Sequence, residues 1–176
     1  KTDRLELRLL EGRDAVDIST LMTPTLSRWL ASWPPVVTEE EAREKITLHR
    51  ENTIKKQGLS VAIIRREDDK FIGSLIVKVG KTDPSIGEIG YWLGEEFQGK
   101  GYLGEVIHSF VDSAFEYLGI ITLQAGAQLE NKSSFALMEK MGMKPWGRKT
   151  VYVPSRDIHE EVLYYNLTRT PPLEKR

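Results

Sequence analysis

The sequence predicts an α+β fold with α/β/α layers: a mixed, mostly antiparallel central sheet of about seven strands with helices on both faces. Three observations predict it. Two β-rich runs, LSVAIIRR and KFIGSLIVKVG, flank the polar turn EDDK and read as an antiparallel hairpin. A third run, SIGEIGYWL, leads through a glycine-rich loop into a helical pattern and on to ITLQAGAQL, which makes a βαβ unit. Two further strand-like runs then close the chain around a proline-containing turn.

At the start, Leu5, Leu7 and Leu9 alternate with Glu6 and Arg8, the period of a half-buried strand. Asp14 is placed to cap a short helix through Met22, and a second helical piece is expected from Arg28 to Leu30 before Pro34 and Pro35 end it. Thr38 and Glu41 have capping-box spacing, so a longer helix is expected towards Lys56. Its apolar stripe, Ala42 and Ile46 extended by His49 and Thr53, is thin, which places it on the surface. After the hairpin and the strand from Ser85 to Leu93, a helix runs from Gly101 to about Leu118 with Val106, Phe110, Ala114 and Phe115 on one face. Gly119 closes it. NKSSFALMEKMG reads as a helix capped by Asn131 and ended by Gly142, and strands follow near Lys149 to Val153 and His159 to Leu167. One domain is expected over residues 1–170, with a short tail over 171–176.

Composition narrows the function classes. With 25 Lys plus Arg against 26 Asp plus Glu the formal charge is −1, which offers no global field for nucleic acid or an anionic membrane. Any anion site must be local. Cysteine is absent, which excludes a disulfide framework, a thiolate metal site and a cysteine nucleophile, and suits a reducing, cytoplasmic setting. His49, His108 and His159 lie far apart without partners at metal-ligand spacing, so no metal is expected. No apolar run reaches the roughly 18 residues of a membrane span, and no signal peptide is expected.

Three motifs overlay the loop GEEFQGKGYLGEV. Gly94, Gly99 and Lys100 begin a phosphate-binding Walker loop, but Gly101 stands where a hydroxyl must bind magnesium, and Glu95 and Glu96 would repel the phosphates. Gly99, Gly101 and Gly104 match the dinucleotide fingerprint, yet an antiparallel hairpin precedes them and too little chain follows for a doubly wound sheet. The third overlay is Q-x-x-G-x-[GA], here Gln98, Gly99, Lys100, Gly101, Tyr102 and Leu103. Unpaired amides from Gly99 to Gly104 at a helix N-terminus favour a pyrophosphate.

With that loop, and with RWLASWPPVVTEEEA, GEIGYWL and ENKSSFALMEKMGM in order around it, the chain resembles the GNAT superfamily of acyl-coenzyme A dependent N-acetyltransferases, in its RimJ/RimL-like branch. The resemblance implies acetyl-coenzyme A as cosubstrate, held by Gln98, Gly99, Lys100, Gly101, Tyr102, Leu103 and Gly104, with Asn131 as a further contact. Leu103 replaces the small residue of the general motif and is expected to turn into the core. It also implies that the strand ending in Trp92 and Leu93 splays from ITLQAGAQL, so that pantetheine adds to its edge and a main-chain N–H there serves the oxyanion.

Acetyl transfer to an amine needs a proton sink, oxyanion stabilisation and, optionally, an acid for the thiolate. Glu88 shares a strand face with Gly90 and Trp92, and the resemblance implies a general base on this strand. Many relatives carry a tyrosine acid seven residues after the cap asparagine. Here that position is Met138, and the N-x-x-S pattern offers Ser134 instead. The resemblance places Trp29 and Trp33 on the wall of the acceptor pocket, and the acceptor as a protein N-terminal amine or a small amine. Two other readings stay open: an acyl-coenzyme A sensing module without turnover, and a small dinucleotide-dependent oxidoreductase. An apolar edge strand near the C-terminus is compatible with a homodimer.

Overall fold

The computed structural model describes residues 1–169, so the predicted tail over 171–176 lies outside the described residues. Strands β1 (Leu5–Leu9), β2 (Gly58–Arg65), β3 (Lys70–Val79), β4 (Ile86–Leu93), β5 (Thr122–Gln128), β6 (Lys144–Val153) and β7 (Ile158–Thr168) form one seven-stranded sheet in the order β1-β2-β3-β4-β5-β7-β6. Neighbours are antiparallel except β4 and β5. Those two are parallel because α4 (Tyr102–Leu118) carries the chain back across the sheet between them. The mixed, mostly antiparallel sheet expected from the sequence is the one observed.

Alternation within the strands feeds two cores. Leu59, Val61 and Ile63 of β2 pack on the face covered by α4 through Val106, Ile107 and Phe110. Ala62 and Ile64 face the other way, against Ile18 of α1 (Asp14–Leu21) and Ala42 and Ile46 of α3 (Glu39–Ile54). Helix α5 (Lys132–Lys140) joins the α4 side through Met138, and the short α2 (Pro24–Ser27) joins the other through Leu26.

Helix starts follow side-chain chemistry, with two departures from expectation. Thr38 and Glu41 form the reciprocal capping box, with Glu41 N–H to Thr38 Oγ1 at 3.2 Å and Thr38 N–H to Glu41 Oε2 at 2.8 Å. Thr38→Ala is expected to cost about 1 kcal/mol, readable as a shift in the urea midpoint without a change in slope. Asp14, expected as a cap, instead begins α1 behind Arg13. Its buried carboxylate accepts from both terminal nitrogens of Arg8, at 2.9 and 2.6 Å, and from the Glu11 N–H at 2.8 Å. The second helical piece lies at Pro24–Ser27, not Arg28 to Leu30, because Pro24 sits at the first helical position and Thr23 caps the Leu26 N–H.

Helix α3 is the expected surface helix, buried only along Ala42, Ile46 and Thr53, with His49 half-buried on the same stripe. Burial first, then the charges of Lys78 and Lys45, pushes the His49 imidazole down to about 4. A histidine depressed from 6.5 stays neutral in the folded protein while the unfolded chain takes up protons. Its stabilising contribution is therefore complete above pH 6.5 and is lost as pH falls towards 4. Thermal midpoints measured across that window should fall more steeply for the natural protein than for His49→Gln.

Candidate active site

β4 and β5 pair only from Ile86↔Thr122 to Glu88↔Gln124, and beyond Glu88 they part. The parting leaves the β5-facing edge of Gly90 to Leu93 without a strand partner, while the other edge stays bonded to β3. A cleft of about 340 Å³ opens at this gap, lined by Trp92, Leu93, Gln98, Gly99, Gly101, Tyr102, Leu103, Gly104, Asn131 and Ser134 among others. The Gln98 amide donates to the Leu93 carbonyl at 3.0 Å, which ties the glycine loop to the end of β4.

Gly99 and Gly101 adopt φ of +73° and +78°, a conformation that side chains resist, and Gly101 is the N-cap of α4. Because Gly101 has no side chain to cap with, the first amides of α4 are left for a ligand. The charges around them are arranged to admit an anion. Glu105 in the first turn is engaged by Thr2 and by Arg4 Nε at 2.7 Å, and Arg4 also donates to the Lys100 carbonyl at 3.1 Å. Glu95 turns to Thr23 and Glu96 to Lys70, 3.5 Å away, so neither carboxylate closes the loop. A Cβ built on Gly104 would stand 2.6 Å from Lys140 Nζ, which places that ammonium over the start of α4.

Not every sequence candidate reaches the cleft. Lys100 does not line it; its ammonium lies over the Phe97 ring at 5.9 Å. Tyr102 lines it while buried in the core with Arg4 across its ring, and Leu103 packs against the core while also bordering the cleft. Arg4 and Lys140 were not legible as site residues, since one directly precedes an ordinary-looking β1 and the other ends an amphipathic helix. Lys140→Met is expected to weaken acetyl-coenzyme A binding by about two- to fivefold, the scale of one exposed charge, in a calorimetric titration.

A second cavity of about 230 Å³ adjoins the first across the sheet. Trp29, Leu30, Tyr91, Trp92, Asn131 and Ser134 border both. Glu88 lies in the second, with Lys78, Trp33, Glu160 and Tyr164. Trp33 is also a core residue, edge-on to Trp92 with centroids 6.2 Å apart, so it packs the core and borders the cavity at once. Burial, then the charge of Glu88, raises the Tyr164 phenol, which marks the two as neighbours. Burial pushes up Glu160, but hydrogen bonds from Arg156 and Gln128, with the charges of Arg156 and Arg28, outweigh it and hold the carboxyl below its usual range.

Where the cavities meet, Asn131 caps α5 by accepting from the Ser134 N–H at 3.2 Å, which leaves its amide nitrogen for a ligand. The Tyr91 hydroxyl donates to the Ser134 carbonyl at 3.3 Å. Burial pushes that phenol up to about 12, so it keeps its proton at neutral pH. Neither Tyr91 nor Tyr164 is singled out by the sequence, and only the parting of β4 from β5 reveals them as cavity walls.

A sheet parted between two parallel strands, with an uncapped helix start at the mouth and a second cavity at the parting, defines a scaffold for transfer from an extended phosphate-bearing carrier. The profile of the Acetyltransferase (GNAT) domain matches residues 4–144, and the chain belongs to that family of acetyl-coenzyme A dependent N-acetyltransferases. It is 25% identical over 169 residues to p20 of Bacillus licheniformis, named an uncharacterised N-acetyltransferase, covering 96% of this chain and 94% of p20. It is also 25% identical over 171 residues to Bacillus subtilis YdaF, named provisionally a ribosomal N-acetyltransferase, covering 95% and 92%. The solved structure of RimL, a ribosomal-protein alpha-N acetyltransferase in complex with coenzyme A, superposes with a TM-score of 0.79 at 20% identity over 95% of each chain, a likeness of fold.

Proposed function

We propose that the protein transfers the acetyl group of acetyl-coenzyme A to a primary amine by direct attack in a ternary complex. The observation that carries this reading is the shared wall of the two cavities at Tyr91, Trp92, Asn131 and Ser134, where donor and acceptor can meet without an enzyme-bound acetyl group. The amides from Gly99 to Gly104 hold the pyrophosphate, with Lys140 adding positive potential and Arg4 neutralising Glu105, and the free edge of β4 takes the carrier arm. Glu88, directly or through a water, accepts the proton of the attacking amine. A main-chain N–H at the Trp92 and Leu93 edge stabilises the charge growing on the carbonyl oxygen, a contribution of about 2.7–4 kcal/mol in other acyl-transfer sites. As the new C–N bond forms and the C–S bond breaks, the departing thiolate takes a proton from Ser134, whose hydroxyl is restored through solvent by the proton that Glu88 accepted, which leaves an N-acetyl amine and free coenzyme A.

The acceptor is a protein N-terminal amine or a small amine, the former in keeping with the RimL and YdaF likeness. An N-terminal amine, with a reference pKa of about 7.7–8.0, needs only a modest base. An amine panel followed by thiol release from acetyl-coenzyme A tests the proposal. Amine-dependent release supports it, and binding of the cosubstrate without release to any amine would leave a sensing module. Thermal stabilisation by a nicotinamide cofactor and not by acetyl-coenzyme A would point to the oxidoreductase reading.

A further inference from the structure

The acceptor cavity carries two opposite charges that are not joined. Lys78 and Glu88 are directly opposite in the β3–β4 register and both line the cavity. A cross-strand pair at this spacing is placed to form an ion pair. Yet among the described residues neither takes part in a salt bridge or a side-chain hydrogen bond. They turn apart. The charge of Lys78 acts on Lys45 and His49 of α3, whereas that of Glu88 acts on Tyr164 of β7.

The cavity lining beside them is aromatic and aliphatic, with Ile76 and Gly90 the next pair along the two strands and Trp33 and Trp92 near by. On the Lys78 side a second cation adds to the first. Lys45 Nζ lies 4.9 Å from the centre of the Trp33 ring and donates to the Ser32 carbonyl at 2.9 Å. Burial, then the nearby Lys78 charge, lowers the Lys45 pKa against the opposing charge of Glu41, and the depressed His49 is neutral at pH 7 and adds no charge of its own. An anion placed there relieves the repulsion between the two ammonium groups, while an ammonium or amine is drawn to Glu88.

We propose that the acceptor is zwitterionic: its amine is taken by Glu88, and a carboxylate carried a few atoms away is met by Lys78, with an apolar body lying against Trp33 and Trp92. This rests on the acetyltransferase reading above. The shared chemistry has two sources, a free amino acid with an apolar side chain, or a peptide N-terminus whose second residue is acidic.

The test uses the purified protein, acetyl-coenzyme A and matched acceptors: leucine and phenylalanine against their amides, and C-terminally amidated Leu-Asp and Leu-Asn peptides. In either series the acid should exceed its neutral partner in kcat/KM by about ten- to a hundredfold, the scale of one charge-assisted hydrogen bond. In Lys78→Met the acid should fall to the level of its neutral partner. Preference confined to the free amino acids, or confined to the peptides, identifies the source. Equal use of acid and neutral acceptors, or a preference that survives in Lys78→Met with its thermal midpoint intact, overturns the proposal while leaving acetyl transfer in place. No thiol release with any acceptor sinks the acetyltransferase reading itself.

Discussion

Glu88→Gln is expected to lower turnover by about 10²–10⁴-fold, the range for a positioned general base, while leaving acetyl-coenzyme A affinity unchanged. The separation follows from the layout. Glu88 lies in the acceptor cavity, at the last residue pairing β4 with β5, and is not among the residues lining the carrier cleft. Glutamine keeps the size and cannot accept the amine proton as a base. Steady-state thiol release and calorimetry on the same preparation read the two quantities. Undiminished turnover removes Glu88 from the proton-accepting role, and a parallel loss of affinity places it in cosubstrate binding.

Gly73→Ala is expected to damage both stability and cosubstrate binding. Gly73 pairs with Leu93 at the end of β4, and a Cβ there would stand 2.2 Å from the Trp92 carbonyl oxygen and 2.9 Å from Leu93 Cα. Backbone cannot swing aside as a side-chain tip does, so β3 and β4 must shift where β4 offers its free edge. Overpacking of this kind costs about 1–3 kcal/mol, and the displaced edge should weaken acetyl-coenzyme A binding in proportion. Gly147→Ala, with open space around the added carbon, is the matched control and should resemble the natural protein. A Gly73→Ala protein with the natural thermal midpoint and affinity would show that this edge is not as tightly fixed as described.

Period and capping chemistry made most of the fold legible. The capping box at Thr38, the glycine stop at Gly119 and the buried face of α4 are local signals, and each is observed. The misses have local causes too. β6 starts at Lys144, five residues before its expected start, because Pro145 is tolerated on the outer strand of a sheet, where no neighbour needs its missing N–H. The residues that line the donor cleft were legible as a loop motif. In the second cavity Glu88, Trp29 and Trp33 were legible, whereas Lys78, Tyr91, Glu160 and Tyr164 were not, since they belong to three strands that only the sheet order brings together.

The account depends on the uncapped start of α4 and the parting of β4 from β5 acting as one receptor for a phosphate-bearing acyl carrier. Calorimetric titration of the purified protein with acetyl-coenzyme A measures this directly. A saturable heat with one site per chain is expected, greatly weakened when the diphosphate is removed by using acetylated pantetheine as titrant. Absence of heat at millimolar acetyl-coenzyme A, or equal affinity for acetylated pantetheine, would contradict it.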